Sequence, residues 1–175
     1  MTGKILTIVI VISALIAGVA MYYLQVYAYY DTVTPTGTDD VQLTTLEGNR
    51  ETILYEDFQA IDSESSPIRF RACFTTQTPM STLTSTYEPY LGASLRNAPG
   101  WFGCFDAEAI GDDITDGRAQ VFTSQRNLEF GIDRVVAITE DGRGYIWHEI
   151  NDCGDKAYDG SPLGDDCPER DLGGN

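Results

Sequence analysis

From Ile5 to Tyr30 the chain carries no charged residue. Its first twenty residues, Ile5–Leu24, extend about 30 Å as an α-helix, the thickness of the hydrocarbon layer of a bilayer. Eleven of the twenty are Ile, Leu or Val. At about 0.3–0.6 kcal/mol each on an insertion scale, they favour lipid by several kcal/mol. Tyr22, Tyr23, Tyr27, Tyr29 and Tyr30 gather at one end, where ring and hydroxyl suit the headgroup layer. Lys4 precedes the run and Asp31, Asp39 and Asp40 follow it, so the positive-inside rule puts the N-terminus in the cytoplasm and the bulk of the chain outside. The rival is a cleaved signal peptide, with small residues at Gly18-Val19-Ala20 and Val26-Tyr27-Ala28. The apolar stretch exceeds the roughly 7–15 residues of a signal core, which favours a retained span. Ser13/Ala17 and Ala14/Gly18 form small-xxx-small pairs, which allow close approach of a second helix.

Beyond the run the character reverses. The formal net charge is −16, every acidic residue lies at or after Asp31, and Lys4 is the one basic residue before it. Such a surface repels nucleic acid and anionic lipid, which excludes nucleic-acid binding, and it attracts cationic proteins or divalent ions. The bland alternative is that acidity only keeps the domain soluble. Asp152, Asp155, Asp159, Asp165 and Asp166 concentrate negative charge near the C-terminus. They are the candidate docking residues for a basic partner, set against the plainer reading of a solvated loop.

The four cysteines are Cys73, Cys104, Cys153 and Cys167. An even number outside the cytoplasm reads as two disulfides, for which three pairings exist. Pairing of neighbours along the chain, Cys73–Cys104 and Cys153–Cys167, is favoured. The second bridge closes a loop rich in Asp, Gly and Pro with little apolar material of its own, a gain of about 3 kcal/mol by chain entropy. There is no Cys-x-x-Cys pair, so redox, zinc-knuckle and c-type haem sites lack their spacing.

Residues 31–40, with Pro35 and Gly37 among threonines, read as an exposed tether. Leu43–Leu46 and Thr52–Tyr55 are short strands around Glu47-Gly48-Asn49-Arg50. Glu56–Ser66 reads as a turn or short helix. Ile68–Phe74 alternates apolar and polar residues, as a half-buried strand does, with Cys73 off the apolar face. Met80–Tyr87 and Asp106–Ile114 read as helices, the second capped by Asp106. Ala119–Thr123 is a strand. Arg134–Thr139 and Tyr145–Ile150 form a hairpin through Asp141-Gly142. The expected fold class is α+β: one N-terminal transmembrane helix (1–30), a tether (31–40), a small periplasmic domain (41–167) with an antiparallel sheet, short helices and two disulfides, and a loose tail (168–175).

No residue is singled out for catalysis, cofactor binding or metal ligation. His148 is the one histidine; alternation places it with Ile146 and Ile150, and no Gly-x-Ser-x-Gly elbow accompanies it. A single His is too few for a catalytic zinc. Asp112, Asp113 and Asp116 resemble a calcium loop, but the third and twelfth positions would be Ile114 and Thr123, which are not ligands.

Several segments carry a resemblance: Met21–Tyr27, Ser66–Phe74, Pro99–Phe102, Cys104–Ile110, Gly131–Val135, Asp141–Tyr145 and Trp147-His148. On these the chain resembles an alphaproteobacterial family of short single-span membrane proteins with a periplasmic domain and no assigned function. The resemblance implies that architecture and carries no catalytic residue across.

The expectation for function is a non-catalytic accessory subunit of an inner-membrane complex, a respiratory or photosynthetic one being a plausible host. It would bind other subunits by its helix and present the acidic domain to a cationic periplasmic protein such as a c-type cytochrome. The alternative is a membrane-tethered sensor or ligand-binding domain with an apolar pocket lined by Trp101, Phe102, Tyr145 and Trp147. An enzyme would require a cleft in which His148 meets a carboxylate.

Overall fold

The structure is a computed structural model and describes residues 2–164, 167 and 168. Asp165 and Asp166, and nearly all of the stretch 168–175, lie outside the described residues. The chain divides into two compact units, 1–31 and 32–175.

The first unit is helix α1 (Thr2–Val26). The most apolar 18-residue stretch of Gly3–Val26 has a mean hydropathy of 2.6, and none of that stretch is buried. No single face is apolar; the whole circumference is, the pattern of a membrane anchor or a signal sequence. Tyr27 packs edge-on against Tyr22 and stacks on Tyr23, with centroids 6.2 and 6.0 Å apart. The helix ends as Tyr27 and Ala28 both donate to the Tyr23 carbonyl.

The second unit is built on a six-stranded sheet. Its strands are β1 (Asp31–Val33), β4 (Glu56–Asp62), β5 (Arg71–Thr75), β6 (Ala119–Glu129), β7 (Ile132–Thr139) and β8 (Arg143–Ile150). Their order across the sheet is β1-β4-β5-β8-β7-β6, and the β4–β5, β5–β8, β8–β7 and β7–β6 ladders are antiparallel. A small hairpin, β2 (Gln42–Thr44) with β3 (Arg50–Thr52), and two helices, α2 (Met80–Thr86) and α3 (Ala107–Thr115), complete it. The α+β expectation holds, with an antiparallel sheet, short helices and two disulfides. The bridges are Cys73–Cys104 and Cys153–Cys167.

Local signals act where they were legible. Asp106 caps α3, its carboxylate accepting from the amides of Glu108 and Ala109 at 3.1 and 3.2 Å. The β7–β8 turn uses Gly142 at φ +84°, and a Cβ there would sit 2.3 Å from the Thr76 carbonyl oxygen. Gly144 faces Phe74 across the β5–β8 ladder. A Cβ on Gly144 would lie 2.1 Å from the Phe74 ring, so the aromatic ring fills the place of the missing side chain.

Four expectations are corrected. Glu56–Ser66 is neither turn nor helix: Glu56–Asp62 is a strand. A bulge between Glu56 and Gln59, with Asp57 at φ +54°, breaks the alternation that would have announced it. β6 continues to Glu129, through two further register shifts past Thr123. Residues 31–33, within the stretch read as a tether, form strand β1. Farther along that stretch Asp40 accepts from the Thr36 and Gly37 amides and from Tyr55.

The fourth correction concerns β5, which is buried on both sides rather than half-buried. One sheet face carries Ala60, Ala72, Phe74, Val136, Ile138 and Ile146, and packs with Val41, Leu43, Ile53, Leu83 and Tyr87. Register places Arg71, Cys73, Tyr145, Trp147, Glu149, Asp133 and Val135 on the other face. Phe105, ahead of α3, lies against Tyr145 and Trp147 there, with centroids 6.0 and 6.4 Å apart. Trp147, wholly buried, is the centre of this second layer.

Candidate functional site

The second layer turns polar toward one end. Asp133 and Glu149 are direct cross-strand partners on β7 and β8, and both are buried. Two carboxylates side by side require compensation, and each finds a different kind.

Asp133 is wrapped. Its Oδ1 accepts from the Asn127 amide at 2.8 Å and from Asn151 Nδ2 at 2.6 Å, while Oδ2 meets Arg126 at 3.3 Å. Asn127 adopts φ +47°, which turns its amide onto the carboxylate, and its own side chain accepts from the Gly131 amide. Arg126 also pairs with Glu88 at 2.9 Å and lies 5.2 Å above the Tyr90 ring. Burial, with the nearby charges of Asp133 and Glu149, drives the Tyr90 hydroxyl far above its ordinary pKa. It stays a neutral donor.

Glu149 is wrapped on one side only. It is 5% exposed, and its Oε1 accepts from the Ser94 amide at 2.7 Å and Trp147 Nε1 at 3.1 Å. Among the described residues Oε2 accepts no hydrogen bond. Burial raises the Glu149 pKa, opposed by those two donors and by the charges of Arg96 and Arg71. The open oxygen belongs to a cleft of about 660 Å³ lined by the 88–96 loop, Arg126, the end of β8 and the turn carrying Asp152 and Asp155.

The residues singled out by sequence fall in different places. Asp152 and Asp155 are exposed on this cleft. Asp159 is not part of it: its carboxylate accepts from the amide and hydroxyl of Ser161, a local turn. Asp113 and Asp116 are taken up by Arg118 at 2.8 and 2.5 Å. No group of three or more His, Cys, Asp or Glu is arranged to hold a metal among the described residues. On α1, Ala14, Ala17 and Gly18 are exposed, as is Ser13, whose hydroxyl bonds back to the Ile10 carbonyl.

A family model described as a family of unknown function, DUF6446, matches residues 41–168. The chain belongs to DUF6446. No curated protein and no solved structure matches it. The match covers five of the six strands of the large sheet, the β2–β3 hairpin, α2, α3 and both disulfides, and begins after α1 and β1.

Of the four aromatic residues expected to line an apolar pocket in this DUF6446 chain, three are core and Trp101 is 38% exposed. Phe102, Tyr145 and Trp147 are buried, Trp101 packs edge-on to Phe102, and Phe105 fills the space between Tyr145 and Trp147. The cleft that exists is polar, and its principal residues, Glu149, Arg126, Tyr90 and Arg96, were not singled out. Glu149 had a signal: it occupies an inward register of an apolar strand, two residues from Trp147. The 88–96 loop had none, because it reaches the cleft only through the fold.

His148 lies on the opposite face, 4% exposed and stacked 5.0 Å from Phe70. Arg134 Nε donates to its Nε2 at 3.0 Å, and its Nδ1 meets the Pro67 carbonyl. That arrangement fits one neutral tautomer, with the proton on Nδ1 and Nε2 accepting. Burial first, and the Arg134 charge second, lower the His148 pKa to about 4. The unfolded chain protonates this residue near pH 6.5. Between those values the unfolded state holds more protons, so stability falls as pH drops through that window, by up to about 3 kcal/mol. Urea unfolding of the full chain in mild detergent at pH 7 and pH 4 should show a larger loss for wild type than for His148→Gln. Equal losses would remove His148 from the account.

Proposed function

We propose that the chain is a membrane-anchored accessory protein of an inner-membrane complex, holding its DUF6446 domain on the periplasmic side. One observation carries this reading: a 24-residue helix whose most apolar 18-residue stretch has a mean hydropathy of 2.6 and is nowhere covered. That surface is stable only in lipid or against other membrane helices. The two disulfides suit an oxidising compartment. Lys4 before the span and the acids from Asp31 onward suit an N-terminus in the cytoplasm. The exposed strip of Ser13, Ala14, Ala17 and Gly18 offers another helix close approach. The strongly acidic domain favours a cationic partner, for which a c-type cytochrome has the right sign of charge.

The test is membrane extraction followed by native electrophoresis of the full chain with a C-terminal tag. The protein should stay in the pellet through alkaline carbonate and migrate in mild detergent with other membrane subunits. A soluble product lacking its first two dozen or so residues would mean that the helix is a signal sequence. A pelleted chain that migrates alone would defeat the accessory role.

A further inference from the structure

The cleft beside Glu149 has a ligand chemistry of its own. Its volume of about 660 Å³ suits a small molecule. Its charges do not cancel. Arg126 is balanced by Glu88 and Asp133 at 2.9 and 3.3 Å, whereas Glu149, Asp152 and Asp155 form no ion pair among the described residues and outnumber the two further charges near them, Arg96 on the cleft and Arg71 behind Glu149. An anion would meet net repulsion there, and a cation net attraction.

Within that field Glu149 is the group prepared to receive a donor. It is 5% exposed, rooted on an inner strand, and fixed through Oε1 by the Ser94 amide and the Trp147 indole. Oε2 is left with no hydrogen bond among the described residues. Oε2 is not among the buried polar atoms without a partner, so it opens to the cleft, and a carboxylate with so little exposed surface gains more from a charged donor than a fully exposed one does. At the rim Leu91 is 87% exposed, an apolar surface for an alkyl chain beside the charge.

We infer that this cleft binds an organic cation, an ammonium or guanidinium group donating to Glu149 Oε2 with Asp152 and Asp155 at the mouth. A bare metal ion is disfavoured, since hard cations need several oxygen ligands converging at short range and the described residues offer no such group. The inference does not rest on the accessory role, because binding by the purified chain needs no partner protein.

The experiment uses the full chain in an uncharged detergent, in a Trp101→Phe background. Trp147 is then the only tryptophan, and it is bonded to the carboxylate in question. Agmatine and a blocked Gly-Arg-Gly tripeptide are titrated in parallel, with acetate as the anionic control. A saturable change in Trp147 fluorescence is expected with either cation at a Kd below about 1 mM in low salt, and none with acetate. A stronger response to agmatine points to a free small molecule; a stronger response to the peptide points to a side chain of a bound protein. Glu149→Gln, which keeps both acceptor contacts at Oε1 and removes the charge, should weaken binding at least about tenfold. Asp159→Asn, outside the cleft, should bind as wild type. Should Glu149→Gln fail to fold, Asp152→Asn with Asp155→Asn alters only exposed side chains and should weaken binding and reduce its salt dependence. No saturable response to either cation up to about 10 mM overturns the inference. So does a folded Glu149→Gln protein, or Asp152→Asn/Asp155→Asn protein, that binds as wild type.

Discussion

Arg71→Ala is expected to destabilise the domain by about 3–5 kcal/mol, the scale of a buried charge or large side chain removed from its partners. Arg71 is 2% exposed although it sits in a strand of apolar neighbours. Its Nη1 donates to the carbonyls of Ile68 and Phe70 at 2.9 and 2.7 Å, and its Nε to that of Arg96 at 3.0 Å. The guanidinium lies 5.6 Å from the Phe105 centroid. One side chain thus ties β5 to the segment before it, to the loop before α3 and to the aromatic layer. Truncation strips three carbonyls of a charged donor and leaves a cavity beside Trp147, its cross-strand partner. For a domain of this size the melting temperature should fall by about 10 °C or more. Arg71→Lys should recover only part of the loss, because an ammonium on a flexible stem cannot reproduce the planar fork. An alanine variant within about 0.5 kcal/mol of wild type, the range of an ordinary surface change, would show that the network contributes little.

Cys73→Ala with Cys104→Ala should lower stability by about 3.5–4 kcal/mol, from the entropy of a loop closed at a sequence separation of 31. The staple joins a buried position on inner strand β5 to the residue before Phe105. It therefore holds the segment that covers the second sheet face. Removing Cys153–Cys167, at a separation of 14, should cost less, about 3 kcal/mol. It should act mainly on the turn bearing Asp152 and Asp155. Urea midpoints of the two double variants decide the order, and a larger loss for the shorter loop would reverse the assignment of the structural staple.

What was legible in sequence was what local chemistry decides. An N-terminal apolar helix long enough to cross a membrane needs no tertiary partner to be recognised, because its length and composition are read along the chain itself. The Asp141-Gly142 turn and the Asp106 cap depend on residues within three or four positions. The face occupied by His148 followed from alternation along one strand. The cysteines were countable, but three pairings were open until the chain path brought Cys73 to Cys104 and Cys153 to Cys167.

Only the tertiary structure decided the rest, and in each case the cause lies far away in the chain. β4 was hidden because its bulge removes the two-residue period, and it is a strand through its ladder with β5. Arg71 looked like a solvent-facing residue of a half-buried strand. It is buried because the second sheet face is covered by residues some thirty positions later, around Phe105. The cleft has the same origin: β7–β8 register sets Asp133 against Glu149, and loop 88–96 closes over one of them from about sixty residues upstream. Sequence determines which side chains carry charge. Whether a charge meets water, a partner or an empty space is set by long-range packing, and packing left one oxygen of Glu149 facing the cleft.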